Sequence, residues 1–236
     1  MPLLRAGLRS TRIVVVSLVL LFSAAASSRV AAAEKAICNV DADFALGLED
    51  YPTAIVLHLK LLRAHRNDAL AHYHLGFAYG MTGRTAEEIS EYLEAARLGL
   101  DQWDLFLNLG LAYLGQNESL EATNALRTAV LLGPNHSEAH SDLALAYEKG
   151  NRLREALQEI NAALHLAPED PDERNTKAII CTKLGDLACA RDEWAHLIRV
   201  APDYVPARIN LAILNGSNLP PPAATSTTLN GVAFAR

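Results

Sequence analysis

The chain has 236 residues, half of them hydrophobic, and a formal charge of −6. A chain of this length can bury a substantial core, and the acidic balance excludes a nucleic-acid binder that works by neutralising phosphates. Nothing in the totals names a reaction.

The N-terminal stretch differs from the rest. Arg5, Arg9 and Arg12 precede the apolar run IVVVSLVLLFSAAA, Ile13 to Ala26, and small residues follow in SSRVAAAEK. Positive residues, an apolar stretch and small residues in that order read as a secretory signal peptide over residues 1–33, cleaved after Ala33 or, alternatively, near Ala25. The run has 14 residues, against about 20 for a spanning helix, so an uncleaved anchor is the competing reading. Cys38 lies too far beyond the run for lipidation. Removing residues 1–33 takes away four arginines and no acids, which moves the charge from −6 to −10.

Residues 34–68, which include LGLEDYPTAIVLHLKLLRAHRND, precede the clear repeats. From His72 the chain begins to repeat itself. HLGFAYG, in which the stretch HYHLGFAYG ends, returns as NLGLAYLG from Asn108 and DLALAYEKG from Asp142, each time after 34 residues. The same shift relates Tyr79, Tyr113 and Tyr147, and Pro134, Pro168 and Pro202. In units counted from Ala69, Trp103, Ser137 and Pro171, position 8 holds Gly76, Gly110, Ala144 and Ala178, and position 20 holds Glu88, Ala122, Ala156 and Ala190. Position 24 holds Tyr92, Leu126, Ile160 and Trp194, an apolar stripe on each second helix.

In these features the chain resembles the tetratricopeptide repeat (TPR) family, whose unit is a helix, a tight turn and a second helix. The resemblance implies an all-α, right-handed superhelical solenoid. It has about four complete units over residues 69–214, a degenerate leading unit over 34–68 and a capping helix over 205–214. Gly83, Asn117, Asn151 and Gly185 fall at the turns within units, and Asp68 and Asp170 fall where helices start. Thr85 with Glu88 reads as a capping box. Ala54 takes position 20 of the leading unit and Tyr51 its turn. Glu88 breaks the small-residue pattern, so the first complete hairpin is expected to be splayed or shifted, with Ala86 taking over the close contact.

Four groups of residues invite a chemical reading. His72 and His74, two apart on a helix, diverge by about 200° and cannot easily share one metal ion. His136 and His140 have an i, i+4 spacing but no third ligand, so no metal or other cofactor is expected. Cys181 and Cys189, at positions 11 and 19 of one hairpin, are read either as a disulfide suited to an oxidising compartment or as two buried thiols, with Cys38 left over. The carboxylates fall at solvent-facing positions, and neither a phosphate loop nor a nucleophile elbow occurs, so the chain is not read as an enzyme.

TPR proteins use the first helix of each unit to line a concave groove. That resemblance implies a partner-binding strip of Tyr73, Phe77, Met81, Leu107, Asn108, Leu111, Leu114 and Leu145, continued by Ile179, with Asp104, Glu138, Asp142 and Asp172 as an acidic margin. The strip either takes a protein or peptide partner or is covered by the chain's own N-terminal segment, its tail or a second subunit. The function expected is an exported interaction module or assembly scaffold, periplasmic or secreted, meeting the membrane only through the signal segment before cleavage. The alternative is an accessory subunit of an envelope enzyme, with the solenoid as spacer. Residues 215–236, rich in Pro, Ser, Thr, Asn and Gly, read as a disordered tail.

Overall fold

The computed structural model describes residues 39–216. The signal segment, Cys38 and residues 217–236 of the tail lie outside the described residues. Eleven helices follow one another, and no strand occurs among the described residues. They are α1 (Val40–Gly47), α2 (Tyr51–Ala64), α3 (Ala69–Met81), α4 (Thr85–Arg97), α5 (Trp103–Gly115) and α6 (Ser119–Leu132). Then come α7 (Ser137–Lys149), α8 (Leu153–Leu166), α9 (Pro171–Leu184), α10 (Leu187–Val200) and α11 (Val205–Leu214). Each helix packs on the next, giving hairpins α1/α2 to α9/α10 with α11 at the end.

The turn inside every hairpin needs one residue in the left-handed region. Gly83 and Gly185 supply it at φ 76° and 82°, and Asn117 and Asn151 at 62° and 58°. Asparagine is the side chain that tolerates this conformation best. In the leading hairpin the same place, 34 residues before Gly83, holds Glu49 at φ 60°. Tyr51 is therefore the first residue of α2 and does not sit in the turn, a correction to the sequence reading.

Starts of helices are fixed by short acids. The Ala71 amide donates to Asp68 Oδ1 at 3.0 Å, and the Asp172 and Glu173 amides donate to Asp170 Oδ1 at 2.9 and 3.2 Å. The expected capping box does not form. Thr85 is already helical, Arg84 precedes it without a side-chain capping bond, and Glu88 is buried at 1% exposure.

Small residues at position 8 allow the helices of each hairpin to touch. A Cβ on Gly110 would lie 2.4 Å from Leu126 Cγ, and one on Gly76 would lie 2.7 Å from the Tyr92 ring. The first complete hairpin thus closes at Gly76 with Glu88 in its interior. Ala86 is exposed and does not take over the contact, contrary to expectation. Position 24, which faces position 8, supplies the large buried side chains: Tyr92, Leu126, Ile160 and Trp194 are each at most 1% exposed. Burying a side chain of this size contributes about 1.5–3 kcal/mol, so the stripe carries much of the stability. The core is accordingly a row of contiguous clusters along the solenoid rather than one centre.

Cys181 and Cys189 form a disulfide across the α9/α10 turn, with Cα atoms 6.0 Å apart.

Candidate functional site

The first helices form the inner row. α1 meets α3, α3 meets α5 and α5 meets α7 directly, whereas no two second helices pack on each other to that extent among the described residues. A stack whose first helices approach more closely than its second helices curves toward the first, so α1, α3, α5 and α7 form the inner row along a hollow, and side-chain hydrogen bonds continue it from α7 to α9 and from α9 to α11.

The apolar strip expected there is mostly sealed. Tyr73 is 9% exposed and Phe77 8%, and Leu107, Asn108, Leu114 and Leu145 are buried as well. Tyr73 is enclosed by Tyr92 of its own unit and by Leu105 and Leu109 of the next, and Phe77 meets the Tyr51 ring edge-on from α2 at 6.2 Å. Tight packing between successive first helices is the physical reason: position 5 of one unit is covered by the next. Met81, at 38% exposure, and the half-buried Leu111 are what the strip still presents.

Polar groups along the hollow are largely committed to one another, unit to unit. Tyr73 Oη donates to Asp104 Oδ2 at 3.1 Å and accepts from Asn108 Nδ2 at 3.2 Å. Burial and the Asp104 charge push the Tyr73 phenol well above its ordinary range, so it stays a donor. Further along, Ser141 Oγ donates to Glu173 Oε2 at 2.6 Å, and Tyr204 Oη donates to Asp172 Oδ1 at 2.7 Å. Asn175 Oδ1 accepts from Trp194 Nε1 at 2.9 Å and from Asn210 Nδ2 at 3.1 Å, and Lys183 pairs with the buried Glu148.

Between α7 and α9 the charge is unbalanced. Burial, then Glu173 and Glu138, push the Asp142 carboxyl up to about 7. Glu173 is likewise pushed up to about 7, first by burial and then by Asp170, Asp172 and Glu138, although Ser141 opposes the shift. The cations of α9 do not relieve them, because Arg174 and Lys177 reach Glu193 at 2.9 and 2.8 Å. The expected acidic margin of Asp104, Glu138, Asp142 and Asp172 is therefore joined by Glu173.

The histidines point in separate directions. His72 Nδ1 lies 2.5 Å from Glu91 Oε2 and its Nε2 lies 3.0 Å from the Arg66 carbonyl oxygen. His74 turns to Asp43, with Nδ1 2.9 Å from Oδ1. His136 stacks on Trp103 at 3.7 Å between ring centroids, and His140 takes Glu159 at 2.7 Å.

Comparisons with known proteins agree with this fold. Residues 107–171 match the tetratricopeptide repeat family model. No curated protein matches the chain. Among solved structures, the fold is similar to YrrB, described as a TPR protein with an unusual peptide-binding site. That match has 23% identity and a TM-score of 0.68, and covers 71% of this chain and 87% of YrrB. A TPR protein from Parabacteroides merdae matches at 19% identity and TM-score 0.68, covering 76% of this chain and 72% of that one. MamA from Desulfovibrio magneticus RS-1 matches at 17% identity and TM-score 0.66, covering 70% and 93%. With residues 107–171 matching the family model and the helix pairs superposing on these solenoids, the described chain has the fold of a tetratricopeptide repeat protein.

Proposed function

We propose that the protein is an interaction module or assembly scaffold that holds a partner segment in the hollow lined by α3, α5, α7, α9 and α11. The TPR fold suggests protein-protein interaction or scaffolding, and YrrB, a similar solenoid, is described as having a peptide-binding site. The observation that carries the reading for this chain is the carboxylate group of Glu138, Asp142 and Glu173. Two of its members, Asp142 and Glu173, are driven toward neutrality first by burial and then by neighbouring acids, while Arg174 and Lys177 of α9 face Glu193. A partner side chain bearing positive charge would relieve that repulsion, and Met81 and Leu111 would give its apolar residues a foothold. The partner is thus a segment with a Lys or Arg beside apolar residues, bound by shape and charge without covalent chemistry.

The compartment belongs to the same proposal. The signal-like segment and the Cys181–Cys189 bond support export to a periplasmic or extracellular space, where disulfides persist. In pull-downs from the native envelope, Glu138→Gln with Glu173→Gln, and separately Leu111→Lys, should each reduce recovery of the partner while the chain stays folded by circular dichroism. Undiminished recovery in both would reject the hollow as the docking surface.

A further inference from the structure

Three helices of the leading units bring Asp43 of α1, His58 of α2 and His74 of α3 to one small pocket, which Asn39 and Asp68 also line. One ligand atom from each of the three residues lies within 4.8 Å of the other two. His74 Nδ1 is 2.9 Å and His58 Nε2 4.0 Å from Asp43 Oδ1, and the two imidazoles meet edge-on at 5.4 Å between centroids.

His58 is the residue that packing alone does not explain. It stands 34 residues before Tyr92, at the place where later units carry Leu126, Ile160 and Trp194. Leucine and isoleucine have no polar atom to satisfy, and the Trp194 indole donates to Asn175 at 2.9 Å. His58 is only 1% exposed, and neither ring nitrogen has a hydrogen-bond partner. Leaving a buried polar group unsatisfied costs about 1–3 kcal/mol. An apolar side chain would fill the site at no such cost.

We propose that Asp43, His58 and His74 form a binding site for a divalent transition-metal ion of the zinc class. Two imidazoles and one carboxylate are the donor set that suits zinc, and three protein ligands leave a fourth position for water or a partner's side chain. Bonds of about 2.0–2.1 Å to a tetrahedral ion place ligand atoms roughly 3.3 Å apart. The site therefore closes by a small inward turn of the His58 ring. Burial, then the neighbouring His74, hold the His58 pKa down to about 4, which keeps its lone pair available at neutral pH. Asp43 and His74 are 31% and 24% exposed at their side chains, which gives the ion a way in. Binding at His74 Nδ1 requires the ring to carry its proton on Nε2 and replaces the His74–Asp43 contact. The ion would tie α1, the shortest helix, to the body of the solenoid and order its N-terminal end.

The test uses the untagged full chain, stripped with chelator, dialysed against zinc or calcium, and assayed for bound metal and unfolding midpoint. Wild type and His72→Gln should each hold one zinc per chain, with a raised midpoint and no calcium. His58→Leu, which copies Leu126, and Asp43→Asn, at a half-exposed position, should both lose the zinc and the rise. Absence of stoichiometric zinc in wild type, equal zinc in the two variants, or calcium in its place would each overturn the assignment.

Discussion

His72 and Glu91 join the two helices of the first complete hairpin, Nδ1 to Oε2 at 2.5 Å, while the other ring nitrogen reaches back to the Arg66 carbonyl. The same relation, 19 residues apart, links His140 to Glu159 with the Pro134 carbonyl, and Arg174 to Glu193 with the Pro168 carbonyl. The unit between them has Phe106 and Ala125 at those places and packs them in an apolar cluster. Each of these units thus fills the two positions either with a nitrogen-bearing side chain and an acid or with two apolar groups.

This exchange predicts that Glu91→Ala alone destabilises by about 1 kcal/mol, because His72 keeps its cost of burial and loses its acceptor. The double variant His72→Phe/Glu91→Ala should recover most of the loss. Burial works against the His72 charge, but Glu91 and the Arg66 carbonyl outweigh it and raise the pKa. The pair's contribution is therefore complete below the unfolded value of about 6.5 and fades as pH rises through the raised folded value. Urea unfolding of wild type and Glu91→Ala should converge in alkaline buffer.

Glu49 occupies the left-handed turn position at φ 60° that Gly83 and Gly185 fill elsewhere. A non-glycine residue there is strained by about 1 kcal/mol, and unlike Asn117 and Asn151 it is not a side chain suited to the conformation. Glu49→Gly should raise the stability of the leading hairpin by about that amount, read as added hydrogen-exchange protection in α1 and α2.

The Cys181–Cys189 bond closes a short loop, with a sequence separation of 8. Chain entropy for such a loop amounts to about 2.5 kcal/mol. Cys181→Ala/Cys189→Ala should lower the denaturant midpoint accordingly, and reduction of wild type should act in the same direction.

Asp142 and Glu173 have folded pKa values raised to about 7 against ordinary values near 4. Between those values the folded chain binds more protons than the unfolded one, so this contribution is present in acid and is lost as pH rises through about 7. Asp142→Asn should therefore stabilise the protein at pH ~8 and do little at pH ~4, when the two unfolding curves are compared with wild type.

The repeat was readable because packing demands recur with it. Gly76, Gly110 and Ala144 must be small wherever two helices touch, and turns at Gly83, Asn117 and Asn151 must accept positive φ. Contacts between units were harder to read. Tyr73 carries a groove position, yet its burial depends on Leu105 and Asp104 of the following unit, which a position count within one unit does not include. The Asp43, His58 and His74 grouping escaped for the same reason: its members sit on three helices at three different repeat positions, and only the fold assembles them. His58 did leave one signal, a polar ring at the register of Tyr92, Leu126, Ile160 and Trp194.

The central claim, that the hollow holds a partner segment, is tested most directly by site-specific photo-crosslinking in the native envelope. Crosslinkers would replace Met81 and Leu111 on first helices and, as a control, Leu131 on α6, which is 79% exposed. The account predicts that Met81 and Leu111 trap the same partner peptide, bearing Lys or Arg near the crosslink, and that Leu131 does not. Crosslinks from Leu131 to that partner, with none from Met81 and Leu111, would contradict it.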